Sequence, residues 1–278
     1  MKKILLLLIL FSKFYFAQTQ RVIYELKYKP DSTQVDFKEK YMVLDINPNE
    51  TKYYDYSFLK KDSINKKFNT QNLMWTDQIP IIRESGSNKN INFGMIDFQC
   101  YKYVTNDVIN WNITQETRKH EGLNLQKAEA NFGGRKWTAW FSKDFSFNEG
   151  PYKFHGLPGL IILLSDSKDN YLFSFVQSYH LPNTYDTSNF LEVRYGNSPI
   201  LVKENIFRKK KVEYFNNPVH EIKTKLESGE SKSVDFNGVR YTNSDQLRPI
   251  IIQQQNYMKK NNNPIELNKA FNFSSDRK

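Results

Sequence analysis

The chain has 278 residues, a formal net charge of +10 and a single cysteine. A chain of this length can bury a substantial core without disulfides or a metal, and one cysteine excludes a disulfide within the chain. The positive charges are scattered rather than gathered into a basic arm, so the composition does not favour a nucleic-acid-binding protein. Cys100 lies in a strand-like stretch, where we expect a buried, inert thiol.

The first seventeen residues have the order of a secretory signal peptide. Lys2 and Lys3 precede an apolar run over residues 4–11, and Ala17 stands at a typical cleavage position before polar residues. The apolar run is well short of the roughly 20 residues that span a bilayer. We therefore expect residues 1–17 to be removed. Residues 18–278 should form one soluble, β-rich envelope domain without a transmembrane segment, in the periplasm, at the outer membrane or secreted.

Alternation of apolar with polar residues predicts several β-strands. The apolar members of these series are Val22, Tyr24, Leu26 and Tyr28; Met42, Leu44 and Ile46; Ile109, Trp111 and Ile113; and Tyr171, Phe173 and Phe175. A period of two places each series on one face of a sheet. The 17 tyrosines and 21 phenylalanines support this prediction, because wide side chains pack well on a pleated surface.

The centre of the chain predicts a β-hairpin. Residues 125–132 lead into Gly133 and Gly134, and residues 135–141 lead away. Two glycines permit the positive φ angles of a tight hairpin turn. Successive strands with short turns indicate an antiparallel sheet rather than an alternation of strands and helices.

A sharp corner is predicted just after this hairpin. Leu157-Pro158-Gly159-Leu160 suits a type II turn, because proline presets the first central φ and glycine accepts a positive second one. The apolar run over residues 160–164 is typical of a strand buried on both faces. The corner should therefore feed a core strand.

The last third of the chain has helical character. Residues 204–215 have the composition of a helix, and the basic run 208–211 is typical of a solvated helix face. Asn217-Pro218 predicts the start of a second helix, and Ser244 or Asp245 would cap a third. The predicted fold is mainly β with C-terminal helices, built on a curved antiparallel sheet.

Residues 156–161 spell Gly-Leu-Pro-Gly-Leu-Ile, and the chain here resembles the GLPGLI family of secreted proteins from Bacteroidetes-type bacteria. Four further stretches carry the resemblance: residues 126–128, 134–135 with 138–141, 150–154 and 263–267. The resemblance implies an envelope location. It implies no reaction and no catalytic residue.

The motifs of common enzymes are missing from the sequence. His120-Glu121 and His220-Glu221 begin like a zinc-protease motif, but the second histidine of that motif is replaced in both cases. No nucleophile elbow, phosphate loop or dinucleotide-binding glycine pattern occurs. We therefore expect no catalytic residue, no metal ligand and no cofactor. His155, inside the motif, is the one histidine near which a dispersed site could lie.

A group of aromatic residues in the middle of the chain could line an apolar pocket. The candidate ligand-binding residues are Trp111, Trp137, Trp140, Tyr152, Phe154 and His155. An ordinary aromatic core is the favoured alternative, since strand alternation explains the pattern without a ligand. A long curved sheet that wraps around helices and leaves a cleft would resemble the half-barrel of periplasmic lipoprotein carriers, an analogy of fold alone.

These observations support three functional hypotheses. The first is a non-enzymatic exported protein that binds a hydrophobic or lipid-like ligand or an outer-membrane partner. The second is a secreted hydrolase with a dispersed active site near His155, which needs a hydroxyl or carboxylate within hydrogen-bond reach of that ring. The third is a structural or assembly component without a small ligand.

Overall fold

The structure is a computed structural model that describes residues 18–236 and 238–272, so the predicted signal peptide at 1–17 lies outside the described residues. The strands are β1 (Thr19–Tyr28), β2 (Lys38–Ile46), β3 (Glu50–Asp55), β4 (Ile81–Glu84), β5 (Lys89–Ile96), β6 (Gln99–Asn106), β7 (Asn112–His120), β8 (Leu123–Phe132), β9 (Arg135–Ser142), β10 (Leu160–Asp166), β11 (Tyr171–Leu181), β12 (Ile200–Leu201), β13 (Val234–Phe236) and β14 (Val239–Tyr241). The helices are α1 (Ser57–Phe68), α2 (Glu204–Asn216), α3 (His220–Glu227) and α4 (Arg248–Lys260).

Twelve strands form one sheet in the order β12-β6-β5-β4-β3-β2-β1-β11-β10-β9-β8-β7. All neighbours are antiparallel except β12, which pairs with β6 in parallel. β12 and β7 are the two edges, so the sheet is curved but does not close. The predicted fold class, mainly β with a curved antiparallel sheet and C-terminal helices, is confirmed.

The main core lies on one face of this sheet, as the alternation of β1 predicts. Val22, Tyr24, Leu26 and Tyr28 are all buried in it. The core is completed by side chains from the central hairpin and from the corner after it, including Trp137, Phe141 and Phe154, and by Ile265 near the end of the chain. The corner, taken as residues 150–160, therefore contributes side chains to the core as well as reversing the direction of the chain.

The second face of the sheet has its own smaller core. Ile23 and Val43 point to this side and pack with Phe58 of α1 and with Phe190 and Leu191 of the segment after β11. Sequence analysis did not predict α1, because its apolar residues do not follow a helical period over most of its length. Large side chains on both faces of the sheet are explained by these two cores.

The hairpin prediction is confirmed. β8 and β9 pair from Gln126–Phe141 to Phe132–Arg135, and the connecting Gly133 and Gly134 have φ angles of 62° and 80°. Both angles are positive, as a type I′ turn requires, and its twist matches that of the two strands. Trp137, Ala139 and Phe141 share the buried face, and Trp140, which alternates with them, is half-buried.

The corner differs from the predicted type II turn. The Gly159 amide donates to the Leu157 carbonyl at 2.8 Å, which closes a three-residue γ-turn around Pro158. The φ of Gly159 is +147°, further extended than a type II turn needs. β10 then carries an extra residue, Ile162, opposite β9, and this bulge buries Ile161 and Ile162 together.

A strand that includes Ile109 and Trp111 is not observed, so this prediction was wrong. β7 starts only at Asn112, and Ile113 is 43% exposed. The Trp111 indole N–H donates to the His155 carbonyl at 2.9 Å, and its ring packs on Phe154. These tertiary contacts hold Trp111 against the corner and override the local alternation.

The helical last third is confirmed with shifted boundaries. The second predicted helix begins at His220 rather than at Asn217-Pro218. The third helix is preceded by a short 3₁₀ turn, and Asn243 caps that turn by accepting from the Gln246 amide, in place of Ser244 or Asp245. Pro249 falls in the first turn of α4, where a missing N–H is tolerated.

Candidate functional site

A buried ionic network joins the corner to the end of the chain. Lys153 is fully enclosed, and its Nζ lies 2.7 Å from Glu266 and 2.9 Å from Asp107. The Tyr152 hydroxyl donates to the same Glu266 carboxylate at 2.6 Å. Burial opposes ionisation of Glu266, but the charges of Lys153 and Lys269 outweigh it and hold its pKa below the ordinary value. The network fixes the corner against residues 263–269.

A second network joins the hairpin to the same terminal segment. The buried Arg135 side chain pairs with Asp166 and donates to the Ile265 and Pro264 carbonyls and to the Asn263 side chain. The Asn263 amide donates in turn to the Lys29 carbonyl. One guanidinium thus ties three distant segments together.

The two turn glycines of the hairpin lie against the terminal segment as well. A Cβ on Gly133 would meet the Glu266 backbone at 2.8 Å, and one on Gly134 would meet Asn268 at 3.0 Å. The Asn268 amide also donates to the Gly133 carbonyl. The motif residues Gly134, Arg135, Lys153 and Glu266 therefore act structurally, by holding the end of the chain in place.

The predicted ligand-binding aromatics have different environments. Trp137 and Phe154 are completely buried with ring centroids 4.7 Å apart, and the Trp137 indole N–H donates to the Phe132 carbonyl. Trp111 and Trp140 are half-buried against the same core, and the Arg118 guanidinium stacks 4.0 Å from the Trp140 ring. Tyr152 lines a cavity.

His155 is half-buried at the edge of the corner. Its Nδ1 lies 2.9 Å from the Lys153 carbonyl and its Nε2 lies 3.1 Å from the Asn88 side-chain oxygen. Burial, together with the charge of Arg83, lowers its pKa. Its ring partners are a carbonyl and an amide, so the arrangement orients the ring but supplies no nucleophile next to it.

Two adjoining cavities lie between the sheet, α2, α4 and the terminal segment; we call them the helix-side cleft. The larger has a volume of about 320 Å³ and the smaller about 100 Å³. Both are bordered by Asp77, Ile79, Tyr171, Lys211, Pro264, Lys269 and Phe271. The larger adds Tyr28, Met95, Ile96, Tyr214, Phe215, Tyr257 and Met258. The lining of the larger cavity is mainly aromatic and aliphatic, but it also includes four charged residues and four amide side chains: Asp77, Asp97, Lys211 and Lys269, and Gln78, Asn261, Asn262 and Asn263.

The charged residues of the cleft differ in their pKa shifts and in their ion-pair partners. Burial, with the nearby charge of Arg208, lowers the pKa of Lys211 to about 8, and its ammonium lies 5.3 Å from the Phe207 ring and 5.4 Å from the Phe271 ring. Lys269, by contrast, pairs with Glu266 and Glu204. Asp77 accepts from the Tyr28 hydroxyl and pairs with Lys40, which lower its pKa against the effect of burial.

Sequence analysis missed most of this lining. Asp77 and Ile79 lie in an irregular segment, and Met95 is the second-last residue of β5, a strand that the sequence patterns do not predict. A usable signal was present in α2, where Phe207, Lys211, Tyr214 and Phe215 share one helical face. The prediction of a solvated basic face conflicts with this signal, because Lys211 belongs both to the basic run 208–211 and to the face that lines the cleft.

The described residues contain neither a cluster of metal-binding side chains nor a helix that could span a membrane. No group of three or more histidine, cysteine, aspartate or glutamate side chains within residues 18–236 and 238–272 is arranged to hold a metal ion. In the same part of the chain, no helix has both the length and the apolar character needed to cross a bilayer.

Comparison of the sequence with protein families gives one result. Residues 85–163 are similar to the family described as "Protein of unknown function (Porph_ging)". The matched region spans the hairpin and the corner and covers less than half of the chain. It supports a Bacteroidetes-associated domain of unknown function but not the GLPGLI name. No curated protein matches the chain.

Solved structures of PNGF-II in the C2 and P21 space groups resemble the chain in fold. For each, the TM-score is 0.52 at 14% sequence identity, over 70% of this chain and 33% of the other. The chain thus spans about a third of the length of these structures. At this identity the likeness shows the fold alone. Taken together, the chain is a large, open β-sheet protein similar over its central part to a family of unknown function.

Proposed function

We propose that the chain is an exported, non-enzymatic envelope protein that binds a hydrophobic ligand in the helix-side cleft. The observation that carries this proposal is the cleft of about 320 Å³ lined by Tyr28, Met95, Tyr214, Phe215 and Met258. Its volume lies at the lower end of the roughly 300–1,000 Å³ of small-molecule sites. Such a lining favours an apolar ligand, because burial contributes about 25 cal/mol for each Å² of apolar surface.

Lys211 would orient that ligand. Burial penalises its charge and lowers its pKa to about 8, and the anionic end of a ligand beside the ammonium would offset that penalty. Tyr257, half exposed at the surface of α4, gives the cleft a polar rim. An apolar molecule with a weakly polar or anionic end fits this combination of groups.

The contacts of His155 support a binding role over hydrolysis. A general base needs the hydroxyl or carboxylate that it activates within hydrogen-bond reach. Here the two ring nitrogens contact a backbone carbonyl and the Asn88 amide oxygen. Asp107, the carboxylate whose charge acts on the ring, is held in an ion pair with Lys153.

The test uses the neutral fluorophore N-phenyl-1-naphthylamine and the chain from residue 18 onward. We expect saturable fluorescence enhancement by the wild type. Met258→Glu should weaken binding at least tenfold, because the new carboxylate would have to lose water when the fluorophore enters. Met258 lines the cleft and is only half-buried, so the substitution should be tolerated by the fold.

Ile252→Glu is the matched control, since Ile252 is on the same helix, is about half exposed and does not line the cleft. It should bind the fluorophore as the wild type does. Absence of saturable enhancement, or equal affinity in Met258→Glu and wild type with both folded by circular dichroism, would overturn the proposal.

A further inference from the structure

Arg194 is a buried cation without a buried anion. Its side chain is 2% exposed, and within residues 18–236 and 238–272 no aspartate or glutamate forms an ion pair with it. Its Nη1 donates to the Phe190 carbonyl at 3.3 Å, and its Nε has no hydrogen-bond partner. The Trp75 ring lies 4.7 Å from the guanidinium carbon.

Lys211 is only half-buried, and the other basic residues that are almost completely buried are all paired with carboxylates. Arg21 pairs with Asp45, Arg83 with Glu149 and Arg135 with Asp166. Lys52 and Lys153 pair with Glu192 and Glu266. Buried charges in proteins are normally paired or bound to ligands, because losing water without a partner is costly. Arg194 is the exception because it has no carboxylate partner, and an anionic ligand would balance its charge.

Arg194 is one of the residues that border a cavity of about 680 Å³. Its apolar lining comes from Leu73, Met74, Phe98 and Ile200, together with Trp75. Gln99, Asn197 and Ser198 add polar groups, and the lining includes no acidic residue among those that the structure describes. Cys100 is also present, but burial raises its pKa to about 11, so the thiol is neutral and does not supply the anion.

The backbone fixes Arg194 in an uncommon conformation. Arg194 and Tyr195 have φ angles of +50° and +49°, two successive left-handed residues of which neither is glycine. The Asn197 amide donates to the Arg194 carbonyl, and the Tyr195 hydroxyl accepts from the Asn65 side chain. Such strain persists only where surrounding contacts impose it, and it clusters at functional sites. The effect is to set the guanidinium before any ligand arrives.

We propose that this cavity binds the carboxylate of a small organic acid with an apolar body. Nε is enclosed by protein atoms and Nη1 is used by the Phe190 carbonyl, so the carboxylate would accept from Nη2, the remaining guanidinium nitrogen. The apolar body would lie on Trp75, Met74 and Phe98. This site is separate from the helix-side cleft, although Met95 borders both.

The test is calorimetric titration of the folded chain with sodium octanoate, 1-octanol and sodium acetate. We expect octanoate to bind with one-to-one stoichiometry in Met258→Glu, in which the helix-side cleft no longer takes an apolar ligand. Octanol lacks the charge and acetate lacks the apolar body, so each should bind at least tenfold more weakly. Arg194→Met should lower octanoate affinity at least tenfold while keeping the thermal midpoint near or above that of the wild type, because an unpaired buried charge is removed.

Arg118→Met is the matched control, since Arg118 also stacks on a tryptophan but lies on the exposed β7 edge. It should leave octanoate binding unchanged. Phe98→Glu tests the site without touching Arg194, because Phe98 lines the cavity and is 80% exposed. It should weaken octanoate through charge repulsion, and it decides the matter if Arg194→Met does not fold.

Two outcomes would overturn the proposal: no saturable octanoate binding, or equal affinity in the wild type and in whichever of Arg194→Met and Phe98→Glu fold. Met258→Glu separates the two sites. If octanoate binding is lost in Met258→Glu and kept in Arg194→Met, the acid binds in the helix-side cleft and the Arg194 site is refuted. If fluorophore binding fails while octanoate depends on Arg194, the cleft proposal fails alone.

Discussion

Glu266 shows how a single residue near the end of the chain can control the stability of the whole domain. Its carboxylate accepts from Lys153, Lys269 and Tyr152, and Lys153 is completely enclosed. A lysine in that position cannot recover water if its partner is lost. The cost of losing Glu266 is therefore mainly the cost of leaving Lys153 with Asp107 as its one remaining carboxylate.

Glu266→Gln should lower the free energy of unfolding by about 3–5 kcal/mol at pH 7, the usual cost of breaking a buried ion pair. The measurement is urea denaturation followed by tryptophan fluorescence. Glu116→Gln is the control, because Glu116 pairs with Lys127 at the surface, where ion pairs contribute little. Unchanged stability in Glu266→Gln would contradict the structural role of the network.

The same residue predicts a pH dependence. The folded state holds the pKa of Glu266 below its ordinary value of 4.5, so the folded protein binds this proton less readily than the unfolded chain. Its stabilising contribution is complete above pH 4.5 and is lost as the pH falls through the folded-state pKa. The stability difference between wild type and Glu266→Gln should therefore narrow between pH 7 and pH 3, and a constant difference would contradict this assignment.

Sequence analysis located these residues but not their role. Arg135, Lys153 and Glu266 all lie in stretches that carry the family resemblance. Their partners are more than a hundred positions away in the chain. Local pattern has no access to such pairs, so motif residues that hold segments together look the same in sequence as residues that bind a ligand.

At the scale of elements, the corner between β9 and β10 depends on glycine for two different reasons. Gly156 has a φ of +91° with open space around it. Gly159 also has a positive φ, but a Cβ there would collide with the Ser142 carbonyl. The first glycine is required for backbone conformation alone, and the second for both conformation and close approach.

Gly156→Ala and Gly159→Ala separate these two effects. The first should destabilise by about 1–2 kcal/mol, the cost of a left-handed conformation for a residue with a Cβ. The second should cost clearly more, because β9 must also move away from the corner. Guanidinium denaturation of both variants gives the comparison, and equal losses would contradict the close approach at Gly159.

Elements with strong periodicity were predictable and those shaped by tertiary contacts were not. β1, the β8–β9 hairpin and α2 follow from alternation, a Gly-Gly turn and composition. The stretch around Trp111 alternates equally well but is held against the corner by an indole hydrogen bond. α1 was missed because it packs through Phe58 and carries mostly polar residues elsewhere.

At the scale of the whole molecule, the cavities were the least predictable feature. The helix-side cleft combines residues from β1, the segment before β4, α2, α4 and the terminal segment. The Arg194 cavity combines the segment after α1 with the β5–β6 turn and the segment before β12. Sequence analysis could suggest an apolar site in an aromatic-rich sheet, but only the assembled sheet brings these segments together.

Export is a property of the whole chain and is a proposal that can be tested directly. β1 begins at Thr19, so cleavage after Ala17 would leave the strand intact. When the chain is expressed from Met1 in a Bacteroidetes host, the protein should be recovered outside the cytoplasm. Its intact mass should equal that of a chain that begins at Gln18. A double change of Leu7 and Leu8 to lysine should leave the precursor in the cytoplasm, since it destroys the apolar core of the signal. Recovery of the wild type in the cytoplasm with its first residues retained would refute export.

The place of β1 in the sheet also sets the order in which the chain can fold. One edge of β1 pairs with β2, the next strand along the chain. Its other edge pairs with β11, where Thr19 lies opposite Leu181. Until β11 pairs with it, one edge of β1 has unpaired N–H and C=O groups, and its apolar face is exposed. Contacts of such long sequence separation make folding slow, and a half-made sheet is prone to pair with its neighbours. The main core is thus complete only after β11 has paired with β1, when most of the chain is available to fold.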